Sequence, residues 1–254
     1  MYDLAIIVSV HPQRAPLLAR ALRTWKRNIE KLSQSVIVCI TTDGWDGAHL
    51  VGYLLGDIPH QVQVTAEKSG SHVTAYNHWT ATIEAKNYLY THPDMLYPEG
   101  TLQAALDAVA PNRWATFKVF WLSQYMTDNL DYYPWMQTER LETFDELYRL
   151  DDKIKGEKYF NVDIRAKTEW EATTTFIVDA DAAHQLYPFP DLHHQGNDDP
   201  LHYLMRQTLG IKTHVIMNPI IYHQYHPQLW DGNEEVACRE ALEQHELWKQ
   251  RRGL

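Results

Sequence analysis

Four small groups of residues in this chain carry side chains able to do chemistry. The first is His92-Pro93-Asp94. An imidazole and a carboxylate two positions apart suit a divalent ion such as Mn²⁺ or Mg²⁺, which neutralises an anionic leaving group. A turn in which Asp94 bonds its own backbone explains the same residues. The second group is Asp43-Gly44 with Asp46. An acid beside a glycine at a strand end accepts hydrogen bonds from a base or ribose, and is equally an ordinary Asp-Gly turn. The third is Gly196-Asn197-Asp198-Asp199. Asp199 before Pro200 reads as a helix N-cap, which leaves Asp198 to act as a general base. The helix dipole keeps such an acid ionised, and both acids also suit that dipole without any reaction. The fourth is the pair His223 and His226, three positions apart after a strand. One of them supplies a metal ligand from the far side of a site, or both bond locally.

These groups need elements to position them. Residues 4–10 form a nearly continuous apolar run, the pattern of a central parallel strand. His11 to Arg14 is then a loop. Leu18, Ala21, Leu22, Trp25, Ile29 and Leu32 recur at helical spacing, with basic residues from Arg20 to Lys31 on the solvated face. Residues 35–40 and 61–65 read as strands, and 72–85 as a helix. Tyr88 to Tyr90 reads as a short buried strand ended by Pro93, and residues 101–109 as an amphipathic helix. The second half has strands at 114–122 and 173–178, then a helix from Asp199 to Gly210. Two short apolar segments follow, at 213–216 and 219–222, before a charged helix over 233–254. Strand and helix alternate, which predicts an α/β fold with a mostly parallel sheet flanked by helices. The reading is one compact domain over residues 1–232 with a helical tail at 233–254.

Composition narrows the function classes. A net charge of −10 argues against a general nucleic-acid binder. Two cysteines, Cys39 and Cys238, give neither a disulfide framework nor a metal-ligand spacing. No run approaches the roughly 18–20 apolar residues of a membrane span. The start of the chain enters a strand without a basic leader, so the expected location is cytoplasmic.

Taken in order, these segments resemble the GT-A glycosyltransferases, especially the family-two-like group. Ala5-Ile-Ile-Val-Ser-Val-His-Pro-Gln-Arg14 looks like that family's first strand and loop. Thr42-Asp43-Gly44-Trp45-Asp46 is similar to its nucleotide-binding acidic turn, and residues 70–77 to its Gly-and-Asn segment. His92-Pro93-Asp94 stands where the family has its Asp-x-Asp metal motif. Gly196-Asn197-Asp198, with Leu201 and Arg206, is similar to its Glu-Asp catalytic motif. The resemblance spans about residues 4 to 226 and implies a nucleotide-sugar half at 1–110 and an acceptor and catalytic half at 111–232.

The resemblance implies a nucleoside-diphosphate sugar as donor and a divalent ion, Mn²⁺ or Mg²⁺, as cofactor. Val10, His11, Arg14, Asp43, Gly44, Asn77 and His92 would line the donor site. Asp94, with His92 and with His223 or His226, would hold the ion. Asp198 would be the base of an inverting transfer, with Asp199 as its rival. Trp121, Tyr125 and Trp170 are candidates to stack on sugar or acceptor, or simply core residues. The acceptor is a glycan, a lipid, a protein or a hydroxymethylated base in DNA. Two positions depart from the family pattern: His92 replaces an acid, and Asn197 replaces the glutamate. Imidazole still ligates metal, whereas an amide is no base. Those departures keep two other readings open, a metal-dependent hydrolase built on the His/Asp cluster and a non-catalytic GT-A-like binding domain.

Overall fold

The computed structural model describes residues 1–65, 72–122, 124–128, 175–190, 199–224 and 234–254. In chain order the strands are β1 (Leu4–Val10), β2 (Val36–Asp43), β3 (His60–Thr65), β4 (Asn87–Thr91), β5 (Met95–Leu96), β6 (Arg113–Trp121), β7 (Thr175–Asp179) and β8 (Lys212–His223). The helices are α1 (Ala15–Ile29), α2 (Ala48–Leu55), α3 (His72–Thr82), α4 (Thr101–Ala108), α5 (Gln124–Asp128), α6 (Ala180–Leu186), α7 (Asp199–Leu209) and α8 (Glu234–Arg252). A 3₁₀ turn, Pro12–Arg14, joins β1 to α1.

The eight strands form one sheet in the order β3-β2-β1-β4-β7-β6-β8-β5. β1 is buried along its whole length, which explains its unbroken apolar sequence. Its residues alternate between faces. Leu4, Ile6, Val8 and Val10 pack with Leu18, Leu22 and Trp25 of α1 and Leu102 of α4. Ala5 and Ile7 pack in a second cluster with Tyr76 and Trp79 of α3, Leu201 and Met205 of α7, and Trp248 of α8. Helices therefore cover both faces. Helix α8 is anchored as well as packed, because Arg252 donates to the Tyr187 carbonyl at 2.7 Å.

The expected α/β architecture is present, with differences that have physical causes. The sheet is mostly parallel but mixed rather than purely so. β1, β2, β3 and β4 pair in parallel, as do β6 and β8, while β7 runs antiparallel between β4 and β6. β2 runs three residues past its apolar stretch. Thr41, Thr42 and Asp43 continue the ladder opposite Gln63, Val64 and Thr65, where backbone pairing outweighs their polar side chains. The segments at 213–216 and 219–222 are one strand. Pro219 is accommodated because the register of β6 against β8 jumps there, from Phe117 opposite Ile216 to Val119 opposite Ile221. Helices α2 and α6 are short and escape periodicity analysis. The first lies between Gly47 and Gly56. The second follows β7 directly, capped by the Asp179 carboxylate on the Ala182 amide at 2.8 Å.

One constraint bends the sheet. β4 and β5 are separated by three residues in the chain, so Thr91 and Met95 lie at most roughly 14 Å apart. In the sheet they are four pairings apart, which a flat sheet would make about 19 Å. The sheet must curl to bring β8 and β5 back beside the end of β4. The returning segment is held against α1. Trp25 Nε1 donates to the Met95 carbonyl at 2.9 Å, and the Tyr97 amide donates to Thr24 Oγ1 at 2.9 Å. Asn28 Nδ2 reaches the Tyr97 and Pro98 carbonyls at 3.1 and 3.0 Å.

Asn28 is buried and bonds both its own helix and the β5–α4 connection. Asn28→Ala strands those carbonyls without a donor, so it is expected to lower stability by about 2–3 kcal/mol. Urea unfolding measures this; a loss under about 0.5 kcal/mol would mean that water replaces the amide.

Candidate metal and donor site

Strand direction decides where the chemical residues meet. β1, β2, β4, β6 and β8 all point the same way, so their carboxyl ends share one edge. His11 and Arg14 follow β1, Asp43 ends β2, His92 follows β4 and His223 ends β8. In an open α/β sheet this edge is where ligands bind.

Asp94 lies at the centre. Its turn links β4 to β5, and its side chain is wholly buried. Two bonds fix its backbone: the Gln224 amide donates to the Asp94 carbonyl at 3.0 Å, and Gln224 Nε2 does so at 3.3 Å. The same Nε2 donates to the Leu17 carbonyl at 3.0 Å, so Gln224 ties β8, the Asp94 turn and the start of α1 together. The two carboxylate oxygens have different neighbours. Arg14 Nη1 donates to Oδ2 at 3.1 Å, and His223 Nε2 lies 3.6 Å from Oδ1.

His92 is half-buried, and its ring stacks on that of His72 with centroids 4.1 Å apart. Desolvation, and then the neighbouring His72 ring, push the His92 pKa well below the usual imidazole range, against the pull of Asp94. A neutral imidazole keeps the lone pair that a metal ligand needs. His92, Asp94 and His223 each present one ligand atom, and these atoms all lie within 4.8 Å of one another. Ligands about 2.1 Å from a small divalent ion stand about 3.0 Å apart when adjacent and about 4.2 Å when opposed, so the His223–Asp94 pair at 3.6 Å already lies in that range and a pair at the 4.8 Å limit would draw in by at least about half an ångström. The residues fit a divalent ion.

Asp43 is buried two strands away, accepting from Thr65 Oγ1 at 3.2 Å. Gly44 has φ +69, and its amide donates to the Thr65 carbonyl at 3.0 Å. The sharp exit from β2 therefore requires glycine for its backbone angle, since a Cβ there would meet nothing within 4 Å. Asp46 accepts from the Ala48 amide at 3.0 Å and so serves the start of α2. Val10 is the last residue of β1, buried in the core. His11 caps the 3₁₀ turn, its Nδ1 accepting from the Gln13 amide at 3.3 Å, and this turn presents Arg14.

Asn77 spends its amide on backbone: it donates to the Phe189 carbonyl at 2.8 Å and accepts from the Phe189 amide at 2.7 Å. Buried Arg206 is likewise structural, bonding the His202 carbonyl and Thr213 Oγ1 and lying 4.8 Å over the Trp114 ring. Gly196, Asn197, Asp198, Trp170 and His226 lie outside the described residues, as do the side chains of Asp199, Trp121 and Tyr125. The backbone of α7 gives a direction. Arg206 meets the amino ends of β6 and β8, while His202 lies beside Phe176 and Phe189, nearer the middle of the sheet. Asp199, one turn further back, opens the helix toward the site edge. His72 and Gln224 were not anticipated. Their signal was present: a helix after a parallel strand starts at the carboxyl edge, and Gln224 adjoins His223.

No family model and no curated protein matches the sequence. Solved structures do. A mannosyltransferase from Pyrobaculum calidifontis, PcManGT in complex with GDP-Man and Mn²⁺, is 15% identical with a TM-score of 0.58, covering 98% of this chain and 64% of that one. S. aureus TarS 1-349 in complex with UDP-GlcNAc is 11% identical with a TM-score of 0.62, covering 89% of this chain and 59% of that one. The chain thus spans about three fifths of the length of these two structures. Among the described residues no helix is long and apolar enough to cross a membrane.

The Asn77 geometry yields a prediction. Asn77→Ala removes both bonds to Phe189 and is expected to cost about 2 kcal/mol in urea unfolding. Affinity for UDP or GDP should be unchanged; a fall would place Asn77 in the donor site. With strand order, carboxyl-edge site and structural relatives in agreement, the chain has a GT-A-like glycosyltransferase fold.

Proposed function

We propose that this protein is an inverting glycosyltransferase, moving a sugar from a nucleoside-diphosphate sugar to an acceptor hydroxyl with the help of a divalent ion. One observation carries the reading: His92, Asp94 and His223 converge at the carboxyl edge of a GT-A-like sheet. Support for the donor class comes from the GDP-Man and UDP-GlcNAc named with the two structural relatives.

Position at the carboxyl edge supports the roles of Asp43, Arg14, His92, Asp94 and His223, and the sequence resemblance those of Asp198 and Asp199. Asp43, with Gly44 turning the chain away, accepts hydrogen bonds from the nucleoside. Arg14 faces the diphosphate. A divalent ion, Mn²⁺ or Mg²⁺, held by His92, Asp94 and His223, would supply positive charge as the diphosphate departs. Asp198 takes the proton of the acceptor hydroxyl, with Asp199 as the rival base. The acceptor oxygen bonds to the anomeric carbon as the carbon–phosphate oxygen bond breaks, and the nucleoside diphosphate leaves from the opposite face. Attack from that side inverts the anomeric centre. The acceptor is a glycan, lipid, protein or modified DNA base carrying such a hydroxyl.

Thermal shift against nucleoside diphosphates and their sugars, with and without Mn²⁺, tests the donor site. A ligand at 100 times its Kd adds about 2.7 kcal/mol to the native state. One nucleotide should stabilise the protein in a metal-dependent way, and Asp94→Asn should remove that dependence. Asp198→Asn should keep nucleotide binding while turnover falls by roughly 10²–10⁴. Stabilisation by Mn²⁺ alone, with no response to any nucleotide, would favour a metal-dependent hydrolase instead.

A further inference from the structure

The cation that touches Asp94 is part of the protein. Arg14 donates to Oδ2 at 3.1 Å, and its side chain is 17% exposed against 0% for Asp94. Removing one partner of a buried ion pair leaves the other charge uncompensated, so Arg14 is the partner that offsets Asp94 Oδ2 in the ligand-free chain. The same contact weakens the metal site. Imidazoles that ligate are neutral, so the carboxylate and the guanidinium leave the set of Arg14, His92, Asp94 and His223 with no net charge. A doubly charged ion entering that set gains little attraction and meets a guanidinium on the only carboxylate in it.

We propose that Arg14 couples metal binding to donor binding, holding Asp94 until a diphosphate arrives. This rests on the donor-site reading above and deepens it. The diphosphate brings the negative charge that the protein set lacks. Arg14 stands on the exposed side of the pair, on a short turn at the same edge, so its guanidinium can turn from Asp94 Oδ2 to a phosphate oxygen. Asp94 stays where Gln224 fixes it and is then available to the ion. Arg14 is thus a positioning residue for the metal and a ligand for the diphosphate. Free Mn²⁺ binds weakly, the nucleotide binds weakly without Mn²⁺, and each tightens the other by the same factor.

Mn²⁺ binding followed by electron paramagnetic resonance, with UDP and GDP as probes, tests this without an activity assay. In the wild type, the nucleotide that binds should tighten Mn²⁺ about tenfold or more. Arg14→Met keeps the stem and drops the charge. It should bind Mn²⁺ alone about tenfold more tightly than wild type, because a positive charge beside the ligand is gone. Its mutual tightening with the nucleotide should shrink. Arg14→Lys, which keeps the charge, should stay within about threefold of wild type for Mn²⁺ alone. If Arg14→Met binds Mn²⁺ no better than wild type, the coupling role is overturned while the donor site stands. If Arg14→Met does not fold, wild type decides: Mn²⁺ affinity indifferent to a bound nucleotide overturns the coupling. Absence of Mn²⁺ binding with every nucleotide would overturn the donor-site reading itself.

Discussion

A carboxylate with no exposure to solvent sits where the curled sheet closes on itself, and much of the structure follows from keeping it there. Asp94 must be ionised to be useful and compensated to be tolerated. Arg14 supplies the compensation from the β1 loop, His223 approaches from β8, and Gln224 clamps the backbone between them. Each partner is distant in sequence. The Asp94 turn therefore forms only when the sheet has curled far enough to bring β8 beside the end of β4.

Helix α1 is the other half of that device. Its apolar stripe explains its packing on β1, but three further residues on its inner face, Thr24, Trp25 and Asn28, spend their polar atoms on the segment after Asp94. Buried backbone groups of an irregular segment need such partners, because water does not reach them. The helix that carries the core is thus also the wall that positions the site. The β4 turn is tied on its other side by the chain of hydroxyls from Tyr97 to Thr91 to Thr175.

An edge that gathers two imidazoles, one carboxylate and one guanidinium, two strands from a buried acid at the end of β2, suits a ligand with a charged middle and a polar end. The nucleoside diphosphate proposed as part of the donor has that shape. The His72 ring stacked on His92 extends the cluster onto α3 and helps keep His92 neutral.

Much of this was legible from residue order. The continuous apolar run at 4–10 has the length of a buried strand, and the stripe from Leu18 to Ile29 has the period of a helix. Pro93 forced a break after β4, and Gly44 marked the left-handed exit from β2. Local chemistry thus identified His92, Asp94, Asp43 and His223 as residues that could act. It did not say which would meet. The pairing of β8 with β6, the antiparallel insertion of β7 and the curl that returns β5 to β4 depend on contacts between residues 60 to 128 positions apart, and no local pattern encodes them. The same holds for side-chain partners: no local pattern pairs Asn77 with Phe189 or Arg14 with Asp94, which lie 112 and 80 positions away. Residue types set the available chemistry, and the tertiary structure decided which groups share a site, since only folding brings distant charges within a few ångströms.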